Sequence, residues 1–404
     1  MKKTILMIGS FDTKAEDFAF VRDLIGARGH AVLALNTGVL GTTDRFPVDI
    51  EADKVATSGG GDLAALRAKR DRGEAIKVMC LGAAAVTGEL YARGKFDAVL
   101  GLGGSGGSSV IAPAMRALPV GVPKVLVSTI ASGDTAPYVG LKDVTMIPSV
   151  VDVAGINRIS EKIYKEAVGA VCGMAEMDYA SSGERKPIVA ASMFGQTTPC
   201  VTRCKEELAA KGYEVLVFHA SGTGGKTMES MVDEGYVEGV LDITTTEWAD
   251  ELMGGMFTAG STRLEAPGRA RIAHLIVPGC VDMVNFGPPE TVPAKYEGRE
   301  LYESKPTVTL MRTTVEENAR IGEVFADKAN ASKGKVAFLL PLRGLSVLDS
   351  EGGAFWSPEA DSALFGAIKE NARGDIPVVE LDAHINDEAF SRKAVAMLMD
   401  LMAG

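Results

Sequence analysis

The sequence predicts an α/β protein: two Rossmann-like domains, each built on a mostly parallel sheet with helices on both faces. Short apolar strands alternate with longer helical segments along the whole chain, as a sheet buried on both faces requires. At 404 residues the chain exceeds one typical core and corresponds to two domains of about 200 residues. A polar stretch at 178–186, followed by Pro187, has linker character and divides a first domain, 1–180, from a second, 187–404.

In the first domain, residues 4–8 form a strand, followed by the loop Gly9-Ser-Phe-Asp-Thr-Lys14. An amphipathic helix then carries Phe18, Val21, Leu24 and Ile25 on one face. A strand at 31–35 leaves Asn36-Thr37-Gly38 at its tip, 41–60 reads as loop, and 75–91 suits a buried helix. A strand at 96–100 enters the glycine loop, 125–130 and 144–150 are further strands, and 156–177 is a long helix. The second domain repeats the pattern, with strands at 188–193, 214–218, 239–243, 274–277, 308–311, 336–340 and 378–381 and a final helix at 387–402.

The stretch Gly101-Leu-Gly-Gly-Ser-Gly-Gly-Ser-Ser109 joins a strand to an apolar segment that starts a helix at Val110, with Pro113 tolerated in its first turn. Gly103, Gly104, Gly106 and Gly107 can take positive φ, so that successive N–H groups line a concavity suited to phosphate oxygens. Ser105, Ser108 and Ser109 add hydroxyl donors. Gly101-x-Gly103-x-x-Gly106 fits the letters of the dinucleotide fingerprint, but it does not open the first βαβ unit and lacks the acidic residue that motif needs. No lysine follows the glycines, which excludes a Walker A loop. Parallel strands bring their carboxyl ends to one edge, so Asp12, Thr37 and Gly104 are expected in one crevice.

Composition narrows the classes. A content of 46% hydrophobic and 24% charged residues is that of a globular chain, and a net charge of −11 argues against a nucleic-acid partner. Arg67, Lys69, Arg70 and Arg72 form the dense basic run, read either as a solvated face or as a local anion site. Five cysteines without a CxxC pair argue against structural zinc, and free thiols fit a reducing cytoplasm. The apolar run after Met1 is closed off by Asp12, Lys14 and Glu16, so it is not read as a signal peptide. No run approaches membrane-spanning length, and no membrane partner is expected.

In the second domain, Ala220-Ser-Gly-Thr-Gly-Gly225-Lys226-Thr227 resembles a P-loop, with Asp242 as the acid a magnesium ion would need. A loop contacting a different anion is the preferred reading. Thr313-Thr-x-Glu316 reads as a capping box. His219 and His384 both end strands. His219, Asp242, Glu247, Asp282 and Arg312 each follow a strand closely. They are expected to converge on one pocket that faces the glycine loop across an interdomain cleft. Buried carboxylates there need Arg312, a metal or a cationic intermediate as partner.

Gly9-x-x-Asp12-Thr-Lys14, the glycine loop, Phe218-His-Ala-Ser-Gly-Thr-Gly-Gly225, Leu241-Asp-Ile-Thr-Thr-Thr-Glu247, Asp282-Met-Val-Asn-Phe-Gly287, Met311-Arg-Thr-Thr314 and His384-Ile-Asn-Asp387 occur together and in order. In this the whole chain resembles the family of the tomato mosaic virus resistance protein, in its N-terminal nucleotide-binding region. The resemblance implies two Rossmann-like domains, with ATP and Mg2+ held by the first. Carried over by position, the nucleotide contacts are Asp12, Lys14, Thr37, Arg72, Gly104, Ser105, Gly106 and Gly107; the residues holding the metal are not assigned. Two functions follow as expectations. In one, an enzyme works on a small anionic substrate in the cleft, with His219, Asp242, Glu247, Asp282 and Arg312 as catalytic residues. In the other, a two-lobed protein binds nucleotide without turnover. A cytoplasmic homodimer is expected in either case.

Overall fold

A computed structural model describes residues 1–177 and 185–403, in two compact units, Met1–Ala180 and Ser181–Gly404. Of the linker expected at 178–186, only 185 and 186 lie within the described residues.

The first unit is a five-stranded sheet of β1 (Thr4–Gly9), β2 (Ala31–Asn36), β3 (Ala98–Gly103), β4 (Lys124–Ser128) and β5 (Thr145–Pro148). The order is β2-β1-β3-β4-β5, parallel throughout. Alternation along β1 sends Ile5 and Met7 into one core and Leu6 and Ile8 into the other, so both faces are buried. The helices Ala15–Ala27 and Ser160–Glu176 supply Phe18, Val21, Tyr164 and Val168 to the first of these cores. Arg72–Ala92 and Ser105–Arg116 supply Met79, Ala83, Ile111 and Met115 to the second.

Three local expectations change here. The supposed loop at 41–60 contains the helix Ala52–Ser58, whose Ala52, Val55 and Ala56 are buried at helical spacing. The helix Arg72–Ala92 has 21 residues and is apolar enough, by length and composition, to cross a membrane, contrary to the expectation that no run approached that length. It buries Ala75, Met79, Gly82, Ala83, Val86 and Thr87 within the unit. Finally, the helix after the glycine loop begins at Ser105 rather than Val110, so Pro113 sits in its interior. Proline offers no N–H to the carbonyl of Ser109, and that oxygen accepts the thiol of Cys80 at 3.1 Å instead.

The second unit is a six-stranded parallel sheet plus a small antiparallel one. Its strands are β6 (Ile188–Met193), β7 (Glu214–His219), β8 (Gly239–Thr244), β9 (Ala273–Gly279), β10 (Met283–Phe286), β11 (Leu301–Lys305), β12 (Val308–Arg312), β13 (Val336–Pro341) and β14 (Val378–Leu381). The large sheet runs β14-β13-β9-β8-β6-β7. The strand expected at 308–311 is not part of it: β12 pairs antiparallel with β10 and β11. That register sets Met283 opposite Arg312, and the Thr313 N–H donates to the Asp282 carbonyl at 3.1 Å. The capping box falls one residue later than expected, between Thr314 and Glu317.

Candidate functional site

In the first unit the chain order reverses between β1 and β3, since β2 lies on one side of β1 and β3 to β5 on the other. Ligands of open parallel sheets sit beyond the strand carboxyl ends at such a switch point. There the loops after β1, β2 and β3 surround a cavity of about 1370 Å³. Lys14, Thr37, Arg72, Gly104, Ser105, Gly106 and Gly107 all line it, together with Arg67, Arg70 and Asp152. Asp12 is not among the lining residues: its Oδ2 accepts from the Leu40 N–H at 2.8 Å, while Oδ1 is buried without a hydrogen-bond partner. The Thr37 hydroxyl, at 3% residue exposure, likewise has none.

The glycine loop differs from the positive-φ nest expected of it. Among the described residues with positive φ, none lies between 101 and 107, because Ser105, Gly106 and Gly107 already belong to the helix. Gly103 is needed for close approach, since a Cβ there would stand 2.7 Å from the Ser108 nitrogen. Gly104 is the N-cap and no side chain caps the helix, so the first-turn N–H groups have no intrahelical acceptor. Ser108 and Ser109 are not available as donors. The Ser108 hydroxyl is bonded to the Gly103 carbonyl and to Ser128 Oγ, at 3.2 and 2.6 Å, and that of Ser109 to the Ser105 carbonyl at 2.8 Å.

Around this bare N-terminus the charge is positive. A Cβ on Gly106 would be 3.0 Å from Arg72 Nη2, so the guanidinium lies over the first helical turn. Arg72 in turn is the first residue of its own helix, capped by Asp71, which accepts from the Glu74 N–H at 3.0 Å. Lys14 Nζ is anchored on the Val153 carbonyl and Arg67 Nε on that of Val39. Of the basic run, Arg67, Arg70 and Arg72 thus line the cavity. Leu66, Ala75, Ile76, Met79 and Val110 form an apolar wall. Sequence reading passed over Asp152 and Val150, whose φ of +63° is strained for an exposed β-branched residue. No motif marks either position.

The second unit does not gather its five candidates. Asp242 and Glu247 meet Arg263, which is 1% exposed. Its Nη1 and Nη2 donate to the Asp242 oxygens, both at 2.6 Å, and its Nε donates to Glu247 Oε2 at 2.6 Å. Burial acts to raise the Asp242 carboxyl, but Arg263 and His274 outweigh it and hold it well below the usual range. For Glu247 burial wins, and its carboxyl is pushed up despite Arg263. Glu247 Oε1 also accepts from the N–H groups of Gly222 and Gly225, at 2.8 and 3.1 Å. The anion on the P-loop-like stretch is therefore the protein's own carboxylate. A Cβ on Gly225 would stand 2.3 Å from Glu247 Oε2, so glycine is required.

Asp282 and Arg312 belong to a different cluster. Arg312 is 6% exposed; its Nε donates to the Phe355 carbonyl at 2.8 Å and its Nη2 to Asp361 at 3.1 Å, with Asp349 at 3.7 Å. Asp282 Oδ2 accepts from Ser346 at 2.8 Å, and its Oδ1 is buried without a partner. Burial first, then the charge of Asp349, pushes Asp282 up to about 7 and Asp361 up to about 9. The expected pairing of Arg312 with Asp242 or Glu247 is corrected: the antiparallel β10–β12 register commits Arg312 elsewhere. His219 is in neither cluster. It stacks on Phe194 with centroids 5.2 Å apart, and burial on that side together with Lys305 lowers its pKa. His384 has both ring nitrogens engaged, Nε2 with the Ser346 carbonyl at 2.9 Å and Nδ1 with the Asn386 N–H at 3.1 Å.

Residues 3–180 match the N-terminal domain, and residues 186–402 the C-terminal domain, of the uncharacterised protein family UPF0261. A UPF0261 protein of Clostridium tetani is 47% identical over 403 residues, covering 100% of both chains. The ToMV resistance protein Tm-1(GCR237) of Solanum lycopersicum is 43% identical over 312 residues, 75% of this chain and 41% of that protein. Among solved structures, MurG of Acinetobacter baumannii aligns over 98% of this chain and 99% of its own, at 13% identity and a TM-score of 0.25.

Proposed function

The chain belongs to the UPF0261 family, and we propose that it is an ATP-binding protein, and an enzyme acting on a small anionic metabolite, whose nucleotide site is the switch-point crevice of the first unit. One observation carries the reading: the uncapped N-terminus of Ser105–Arg116 opens into the cavity beneath Arg72 and beside Lys14. Unbonded N–H groups and the positive end of a helix dipole attract a polyanion, and a guanidinium adds charge-assisted hydrogen bonds. The wall of Leu66, Ile76 and Met79 suits an adenine ring. Mg2+ would screen the phosphate charge.

The enzymatic part rests on size. At about 1370 Å³ the cavity exceeds the roughly 300–1,000 Å³ of common ligand pockets, which leaves room for a second small molecule beside a nucleotide. Asp242 and Glu247, neutralised by Arg263, lend this chemistry no support.

Calorimetry of Mg-ATP against the full chain tests the binding. Saturable binding that Arg72→Ala weakens about tenfold or more supports the reading; no binding overturns it. Turnover assays with panels of carboxylate and phosphate metabolites then separate the enzyme from the non-catalytic nucleotide-responsive protein. Sedimentation of the same sample reads the expected homodimer.

A further inference from the structure

We propose that the first unit pairs with that of a second copy of this chain through the outer face of the helix Arg72–Ala92, two such helices crossing antiparallel about a two-fold axis. The inference is independent of the nucleotide reading; it takes up the expected homodimer and gives it an interface. Over 18 residues the helix is apolar enough to cross a membrane, yet only 33% of that stretch is buried. A helix lying on a sheet needs one apolar face, whereas one that is apolar all round is covered on every side. Here the covered side is plain, since Met79, Ala83 and Val86 belong to the core. The other side carries Leu81, which is 58% exposed, with Ala85 exposed and Ala84 and Gly88 half-buried. From Val78 to Gly88 the chain has no charged residue.

This face is complementary to itself. In a two-fold pair, a residue of one copy that meets a second residue of the other is matched by the reverse contact. With the axis at the level of residue 83, Leu81 faces Ala85 of the second copy, Val78 faces Gly88, and Lys77 faces Glu89, each contact occurring twice. One register thus sets a large side chain against a small one at two levels and opposite charges at a third. Gly88 is open to receive a side chain, since a Cβ there would meet no atom beyond its own helix within 4 Å. Lys77 is exposed and forms no ion pair among the described residues. Glu89 is held by Arg93, four residues on, at 3.1 Å, with both side chains more than half exposed. Such a surface pair contributes little and yields readily to another partner.

The helix packs between Ala52–Ser58 and Ser105–Arg116 on its face of the sheet. Its approach to the former is close, because a Cβ on Gly82 would stand 1.8 Å from the Val55 carbonyl oxygen. At 1.5 Å per residue the helix is about 31 Å long. With neighbours roughly 8–10 Å to either side, the layer presents a surface on the order of the ~800 Å² per partner that a stable dimer buries. A bilayer is the other apolar partner, and the face suits it less. A helix lying in a membrane interface inserts Trp, Phe and Leu and carries Lys and Arg beside them. Here Ala and Gly prevail, and Lys77 is balanced by Glu89. The cavity residues Arg72, Ala75, Ile76 and Met79 share the helix, but none of them is among those that meet the second copy.

Sedimentation equilibrium of the full chain over a concentration series, without nucleotide, tests the pairing. The parent is expected to be dimeric at micromolar concentration. Ala85→Arg, at an exposed position, drives two arginines into the apolar centre and raises the dimer dissociation constant about a hundredfold or more. Lys77→Glu or Glu89→Lys alone sets like charges opposite and weakens the dimer about tenfold, and the two together restore the parent's value within about threefold. Only residues that face each other across the axis behave in this way, and circular dichroism checks that each variant is folded. A parent that stays monomeric overturns the inference together with the homodimer. A dimer unmoved by Ala85→Arg overturns the interface and leaves the homodimer standing. A monomer that floats with phosphatidylcholine vesicles, and no longer does so as Leu81→Glu, assigns the face to a membrane and overturns the inference as well. None of these outcomes bears on the nucleotide crevice.

Discussion

The two units follow one topological scheme and put it to opposite uses. Numbered by first appearance within each large parallel sheet, the strands run in the order second, first, third, fourth, fifth in both, with β14 added at the end of the second sheet. In each, the third strand leads into a helix at the switch point: β3 into Ser105–Arg116, β8 into Glu247–Met253. The first helical residue is a serine in one and a glutamate in the other. In the first unit the helix N-terminus stays bare beneath an arginine. In the second, Glu247 reaches across to the Gly222 and Gly225 N–H groups and is neutralised from behind by Arg263. The places differ as well as the side chains: in the first unit the N–H groups left bare follow the third strand, whereas in the second the glutamate that follows the third strand fills N–H groups of the loop after the second strand, β7.

The largest effect expected from breaking this contrast lies in the second unit. Arg263→Ala leaves Asp242 and Glu247 buried without their cation, which costs about 3–5 kcal/mol. Urea denaturation should show that loss. Adding Asp242→Asn and Glu247→Gln to it should recover much of the stability, because the uncompensated charges are then gone.

Next comes a change that gives the first unit an internal anion of its own. Gly106→Asp sets a carboxylate beside Arg72, as Glu247 stands beside Arg263. Mg-ATP affinity should fall by about a hundredfold, or ~2.7 kcal/mol, by calorimetry, with circular dichroism unchanged. Unaltered affinity would place the nucleotide elsewhere.

The carboxyl cluster of the second unit gives a smaller, pH-dependent effect. Asp282 and Asp361 are raised to about 7 and about 9, so the folded chain holds protons that the unfolded chain releases near pH ~4. Their contribution is fully present below that value and fades as pH climbs towards the folded values. The urea midpoint should therefore drop between mildly acidic and mildly alkaline buffer. Asp361→Asn should flatten the upper part of that slope and add ~1 kcal/mol at the alkaline end. A midpoint rising over the same range would contradict the assigned direction.

The smallest effect sharpens the comparison by its absence. Lys226→Ala should leave ATP affinity within about threefold of the parent, because Glu247 already occupies the glycine N–H groups of that loop. A large loss would make the P-loop-like stretch the nucleotide site.

Much of the fold was legible along the chain because it depends on local pattern. Apolar runs such as those of β1 and β3, buried on both faces, announce a parallel sheet whatever their partners turn out to be. The same parallelism brought the loops of Lys14, Thr37 and Gly104 to one edge, a consequence of strand direction alone. The motifs of the glycine loop pointed to an anion even though their backbone was misread. Helix propensity at 105–107 is poor, and only packing of Ile111 and Met115 into the core extends the helix back to Ser105.

Which charge meets which could not be read in this way. Glu247 and Arg263 are 16 residues apart, Arg312 and Asp361 49, and no periodicity links either pair. Strand ends in sequence do not say whether a carboxylate faces a ligand or an arginine of its own unit; the register of β10 on β12 and the burial of Arg263 do. The sequence by itself determined the two parallel sheets, the direction of their strands and the edge their carboxyl ends share, but not the antiparallel β10-β12-β11 sheet, because strand and helix patterns are short-range and do not name a strand's partner. Tertiary structure alone decided that one edge is open and the other closed on its own carboxylates, because the desolvation cost of a buried charge depends on every neighbour that surrounds it.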